Sequence, residues 1–209
     1  MHPLKTILDQ RHQSNLKGIV SICTASPMVI EACFDYYKTI QSPLIIEATA
    51  NQVNQEGGYT GMKPQDYVDF VYNLAKKYEF PMERLFLGGD HLGPLTWVKL
   101  NAEDAMRKAE VLVHDFVLAG FTKIHLDTSM KLADDGEVLL TETIAQRGIR
   151  LMKVCEEAYL KRKAVYPEAL LPVYIIGSEV PIPGGAQEVE EGLEVTKVDD
   201  FKHTVEVYQ

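Results

Sequence analysis

Apolar runs rich in β-branched residues alternate along the chain with stretches whose apolar positions recur every three to four residues. The first run is Gly18-Ile19-Val20-Ser21-Ile22-Cys23, and Ser26-Pro27 then reads as the cap and first position of a helix reaching about Lys38. The second run, Leu44-Ile45-Ile46-Glu47-Ala48, leads into a polar, glycine-rich loop from Asn51 to Lys63. Pro64 opens a helix that places Tyr67, Phe70, Val71, Leu74 and Tyr78 on one face. The third run ends at Gly88-Gly89, before Asp90-His91-Leu92-Gly93-Pro94. Asn101 caps the most regular helix, whose apolar face runs from Ala102 through Ala105, Met106, Ala109, Leu112, Val113 and Phe116 to Val117, and Gly120 stops it. A fourth run, Lys123-Ile124-His125-Leu126-Asp127, precedes a helix from about Glu142 to Arg162. The fifth run, Val173-Tyr174-Ile175-Ile176-Gly177, is followed by a helical pattern from about Thr196.

Strand followed by helix, five times over, implies parallel strands joined by helical crossovers. Two α/β architectures fit: an open doubly wound sheet, or part of a closed (β/α)8 barrel. At the observed spacing eight units need about 300 residues, so the expectation is one domain over residues 1–209, the N-terminal five units of a TIM barrel with the carboxyl-terminal units absent from this chain.

Composition narrows the partners. With 46% hydrophobic and 24% charged residues, the 209-residue chain is globular rather than disordered. Its net charge of −9 argues against nucleic acid and against an anionic membrane surface. Three cysteines, Cys23, Cys33 and Cys155, form neither an even set nor a metal-finger spacing, which points to a reducing compartment. The N-terminal stretch through Asp9-Gln10-Arg11 has no apolar signal core, and no apolar run nears the ~18 residues of a span. The expected protein is soluble and cytoplasmic.

Ligands of parallel α/β folds sit beyond the carboxyl ends of the strands. Four of the five runs end there in acids or histidine: Glu47, Asp90-His91, His125 with Asp127, and Glu179. Converging at one mouth, they could bind a divalent cation or move protons on a polyol. His125 and Asp127, two apart, share one strand face. Asp90 and His91 are adjacent, so both turn inward only if the chain leaves the strand at Gly89. Against this stand plainer readings. Asp127 before Thr128-Ser129 suits a cap on the next helix, a lone histidine is more often a hydrogen-bonded core residue, and Cys23 suits burial. Amides at Asn51, Gln52, Asn54 and Gln55 suit sugar hydroxyls, or simply a polar turn. The sequence has no Gly-x-x-x-x-Gly-Lys-[Ser/Thr] phosphate loop, no dinucleotide fingerprint after the first strand and no Gly-x-Ser-x-Gly elbow. The Glu-rich segment 184–195 reads as a solvated loop or a lid.

Four segments carry a resemblance: Ile46-Glu47-Ala48-Thr49 with Asn51–Gln55 and Gly57-Gly58-Tyr59-Thr60-Gly61-Met62; Leu87-Gly88-Gly89-Asp90-His91-Leu92-Gly93-Pro94; Lys123-Ile124-His125-Leu126-Asp127; and Ile176-Gly177-Ser178-Glu179-Val180-Pro181-Ile182-Pro183-Gly184-Gly185. In order and over nearly the whole chain, they resemble the non-catalytic subunit family of class II D-tagatose-1,6-bisphosphate aldolase. Ser26 before Pro27 and Leu95 after Pro94 depart from that family's pattern.

The resemblance implies a TIM-barrel accessory subunit that partners a zinc-dependent catalytic aldolase subunit in galactitol and related carbohydrate catabolism. Some relatives resemble metal-dependent ketose 4-epimerases, which leaves a second expectation, an epimerase or aldolase acting alone on a ketose or its phosphate. By position, Asp90-His91 matches the pair that supplies a proton-transfer acid and a metal ligand in class II aldolases. In that second expectation Asp90, Asp127 and Glu179 move protons. Glu47, Asn51, Gln52, Asn54 and His125 bind the sugar or sugar phosphate, and His91 with Glu179 holds a divalent metal, zinc first. A homo-oligomer stays open.

Overall fold

A computed structural model describes residues 2–9, 18–176 and 197–209. Its elements are α1 (Pro3–Asp9), β1 (Val20–Cys23), α2 (Pro27–Tyr37), β2 (Leu44–Thr49), α3 (Pro64–Lys77), β3 (Leu85–Leu92), α4 (Ala102–Ala119), β4 (Lys123–Leu126), α5 (Thr141–Val165), β5 (Val173–Ile176) and α6 (Val198–Tyr208). The strands form one parallel sheet in the order β1-β2-β3-β4-β5. An open doubly wound sheet reverses its strand order at a switch point, and this one does not. Sequential order belongs to the barrel path, so the fold is α/β, a partial (β/α)8 arrangement of five βα units.

The faces of the sheet differ as that path requires. On the outer face Ile46, Leu87 and Ile124 join the main core with Phe34 of α2, Tyr67 and Val71 of α3, Leu112 and Phe116 of α4, and Leu151 of α5. On the inner face Ile45 and Phe86 form a small separate cluster with Leu4, flanked by Ile19, Leu170 and Val173. Strand alternation separates the two sets: Ile45 points in and Ile46 out, Phe86 in and Leu87 out.

The regular helix is the one the sequence announced. Asn101 Oδ1 accepts from the Asp104 amide, and Gly120 ends α4 with a φ of 114°, a left-handed turn that glycine adopts without strain. The buried face of α3 is centred slightly differently from the expected stripe. Val68 and Ala75 join Tyr67 and Val71 in full burial, while Phe70, Leu74 and Tyr78 pack at its margin.

Two features differ from expectation. The N-terminal stretch, for which the sequence pattern predicted no element, contains a helix, α1, which lays Leu4 against the inner cluster while the His2 ring sits 5.6 Å from that of Phe86. Seven residues are too few for a helix to hold alone, so docking stabilises it. The third strand does not end at Gly89. It runs on to Leu92 with a register shift between Gly89 and Leu92. The segment 184–195 lies outside the described residues.

Candidate functional site

Register lines up the inner-face side chains in rows. Cys23, Glu47, Gly88 and Lys123 form one row across β1 to β4, and Thr49 and Asp90 begin the next, towards the carboxyl ends. Partners in a parallel ladder project to the same side, so Lys123 and, two residues on, His125 face the same hollow as Glu47 and Asp90.

Asp90 and His91 both reach this hollow because of the bulge. His91 takes a φ of 49°, so the strand carries one extra residue before regular pairing resumes at Leu92. That corrects the expectation that the chain turns inward by leaving the sheet at Gly89. A left-handed histidine is uncommon, and here it sets two adjacent polar side chains on one face. The glycines have specific neighbours. A β-carbon on Gly88 would lie 2.5 Å from Glu47 Oε1, so Gly88 provides the space across which Glu47 reaches. A β-carbon on Gly89 would meet Leu92 and Phe116.

These side chains form a connected charge network. Lys123 Nζ lies 2.6 Å from Glu47 Oε1 and 3.7 Å from Asp90 Oδ1. Asp90 Oδ1 is 3.0 Å from His125 Nδ1, and Asp90 Oδ2 is 3.2 Å from His91 Nδ1. The two imidazole rings are 4.5 Å apart. Glu47, Lys123 and His125 are buried, and Asp90 and His91 are partly open to the mouth. Burial by itself would raise the Asp90 carboxyl; the hydrogen bond with His125, the Lys123 ammonium and the His91 ring overcome it and hold the group well below the usual carboxylate range. The donor atoms of Asp90, His91 and His125 all lie within 4.8 Å of one another. Two imidazoles and a carboxylate form a donor set suited to a divalent transition metal, so the residues fit the ion in kind.

Cys23 faces the same hollow, its Sγ 3.7 Å from Gln52 Oε1. Loss of water around the thiol, then the negative charges of Asp90 and Glu47, push it up to about 12 despite the opposing Lys123. At pH 8 it is almost entirely thiol, which is poorly nucleophilic. Cys23 is therefore expected to react with iodoacetamide at least about tenfold more slowly than glutathione at pH 8, exposed though it is. Mass-spectrometric time courses of the Cys23 peptide check this, and alkylation as fast as glutathione would contradict it.

The remaining predicted residues separate. Asp127 is buried, with Oδ1 accepting from the Ser129 amide (3.0 Å) and hydroxyl (2.6 Å). It closes a local turn rather than capping α5, which starts fourteen residues later at Thr141. Among the described residues Asp127 Oδ2 is buried without a hydrogen-bond partner, and the Tyr208 hydroxyl of α6, raised chiefly by burial, feels its charge. Asn54 is engaged within its own loop. Its Nδ2 donates to the Ala50 carbonyl, and its Oδ1 accepts from the Glu56 and Gly58 amides, so this buried amide holds the loop together and has no free carbonyl for a sugar. Asn51 Oδ1 accepts from Thr96 Oγ1, and Gln52 Oε1 from the Thr49 amide; both remain near the strand ends. Gln55 donates to the Lys108 carbonyl. Glu179 lies outside the described residues. Lys123 is the residue that sequence reasoning passed over as part of a strand. Its signal was a charge inside an apolar run at the same parity as His125.

The rim is held by Tyr67 of α3, whose hydroxyl lies 2.6 Å from the Thr24 carbonyl oxygen and 2.8 Å from that of Glu47. This ties the exits of β1 and β2 to the main core. Among the described residues, no helix is long and apolar enough to cross a membrane.

Comparison with known proteins agrees with this frame. A crystal structure of a probable tagatose 6 phosphate kinase from Sinorhizobium meliloti 1021 is 46% identical, with a TM-score of 0.77 over 92% of this chain and 43% of that one. The present chain thus spans less than half the length of that solved relative. A family model for the D-tagatose-1,6-bisphosphate aldolase subunit GatZ/KbaZ-like matches residues 4–209. With the match running nearly end to end, the chain belongs to the GatZ/KbaZ-like family of D-tagatose-1,6-bisphosphate aldolase subunits.

Proposed function

We propose that this chain is a non-catalytic accessory subunit that binds a catalytic tagatose-1,6-bisphosphate aldolase subunit in the cytoplasm and supports its activity and stability in carbohydrate catabolism. One observation carries the reading. The mouth's carboxylates are engaged inside the protein, with Glu47 and Asp90 both facing Lys123 and Asp90 also bonded to His125. A general acid or base must exchange its proton with a substrate, and a carboxylate held ionised between an ammonium and an imidazole is poorly placed to do so.

Residues 1–209 are taken as a single domain, the first five units of a barrel.

The test is an aldolase assay of the catalytic subunit with and without this chain, paired with its thermal unfolding. Binding to the folded partner at 100 times Kd stabilises it by about 2.7 kcal/mol, so both activity and melting temperature are expected to rise. No rise in either, together with ketose turnover by this chain alone, would overturn the reading.

A second reading is favoured by the Asp90–His91–His125 donors: a metal-dependent ketose (phosphate) 4-epimerase or aldolase. In it, His91, helped by His125 or Glu179, would hold a divalent metal such as zinc, which when bound would polarise a sugar oxygen. Asp90, Asp127 and Glu179 carry protons, while Glu47, Asn51 and Gln52 orient hydroxyls. Stoichiometric zinc in the purified protein, lost in His91→Ala, would favour this reading over the first.

A further inference from the structure

Lys123 is a buried ammonium on β4 pointing into the hollow, its side chain 9% exposed. Desolvating such a charge is unfavourable unless close partners compensate, and among the described residues it has two, Glu47 Oε1 at 2.6 Å and Asp90 Oδ1 at 3.7 Å. Gly88 leaves the room that lets Glu47 reach it. Of the three groups whose donors cluster within 4.8 Å, Asp90 alone is anionic, and it is the one turned towards Lys123. His91 and His125 are neutral donors when they ligate a metal. A divalent ion placed among these donors would share the Asp90 carboxylate with an ammonium already fixed beside it, in a setting where water screens little.

We propose that Lys123 is a tethered cation that stands where part of a metal ion's charge would act in this mouth, pairing with Glu47, partly offsetting Asp90 and weakening the hold of the Asp90–His91–His125 donors on divalent cations. The proposal deepens the accessory reading, on which it rests: the chain keeps a metal-type donor set in shape while one lysine weakens its grip on a cation. It also accounts for a buried lysine at an inner position of β4, beside His125. A neutral residue there would leave Glu47 buried without a counter-charge.

Zinc and cobalt binding to the chelator-treated, dialysed full chain provides the test, by isothermal titration calorimetry and by the visible absorption of bound Co2+. Lys123→Met is expected to bind Zn2+ about 10- to 100-fold more tightly than the wild type. Lys123→Arg, which keeps the charge, is expected to match the wild type. Lys123→Met alone strands Glu47, so the deciding protein is Lys123→Met with Glu47→Gln. It removes the pair together, the change best tolerated at a buried ion pair, and leaves Asp90 as the anionic donor facing the histidines. Tightening in this double variant that disappears when His91→Ala is added supports the proposal. Wild-type affinity in the double variant, equal tightening in Lys123→Arg, or zinc binding that survives His91→Ala would each overturn it. Stimulation of the catalytic aldolase subunit by wild-type chain is read separately. Its failure with the metal affinities as expected would remove the accessory function and leave the role of Lys123 standing.

Discussion

Gly93→Ala is expected to destabilise the protein by about 3 kcal/mol or more, lowering the thermal midpoint by roughly 6–12 °C at this chain length. The cause is contact rather than dihedral preference, because Gly93 has a φ of 178°, extended backbone open to any residue. A β-carbon there would lie 1.7 Å from the Asp127 carbonyl oxygen and 2.8 Å from its carbonyl carbon. Neither atom can swing aside as a side chain would. The Asp127 amide donates to the Leu92 carbonyl at 2.9 Å, which draws the exits of β3 and β4 together at this point. Relief requires prising Leu92 and Gly93 away from Asp127, and that strains the bulge that places Asp90 and His91. Gly136→Ala is the matched control, since a β-carbon there meets nothing within 4 Å; its change should stay within about 0.5 kcal/mol. Thermal unfolding of the three proteins decides the matter, and a Gly93→Ala midpoint equal to that of the control would show that the strand exits are farther apart than described.

How far the sequence could be read follows from which forces are local. Strands buried on both faces write themselves as apolar runs, and an amphipathic helix such as α4 writes its period and both its caps. Those elements were legible to within a few residues. The open choice between a doubly wound sheet and a barrel path was settled only by strand order, a tertiary property. The helix α1 was not legible because its stability comes from Leu4 and His2 docking on the inner face, a long-range contact.

At the site the same division holds. That Glu47, Asp90, His91 and His125 share a mouth could be read from strand ends and side-chain parity. That adjacent Asp90 and His91 face the same way depends on a left-handed residue inside a paired strand, which nothing in Gly88-Gly89-Asp90-His91 dictates. Asn54 shows a tie that its residue type did not announce. An amide in a polar loop suits a ligand by its chemistry, but the tight turn before Gly58 uses both ends of it. Asp127 was open to two readings, and Ser129, two residues on, engages the carboxylate locally.

Arg147→Ala is expected to cost about 2–4 kcal/mol near neutral pH, with the lower end reflecting partial solvent access. Arg147 projects from α5 and grips Asp135 with two bonds, Nη1 to Oδ2 at 2.8 Å and Nη2 to Oδ1 at 2.6 Å, each side chain being 10% exposed. Asp135 Oδ2 also accepts from the Leu132 amide at 2.7 Å, and the Leu132 side chain is in the main core. Removing the guanidinium leaves a shielded carboxylate without its counter-charge and frees the β4–α5 connection. Hydrogen bonds from Arg147, opposed by burial and aided by the Leu132 amide, hold the Asp135 carboxyl below its ordinary value. A group lowered in this way stabilises the fold fully above its unfolded pKa, about 3.9 for an aspartate, and loses that contribution as pH falls through the lower folded value. The stability gap between wild type and Arg147→Ala should therefore be widest from pH 6 to 8 and shrink below about pH 4. Arg147→Lys, which keeps the charge without the fork, should fall between them. Urea unfolding of the three proteins from pH 7 to pH 3 measures this. A gap that stays constant across that range would assign the loss to packing of the arginine stem instead of to its charge.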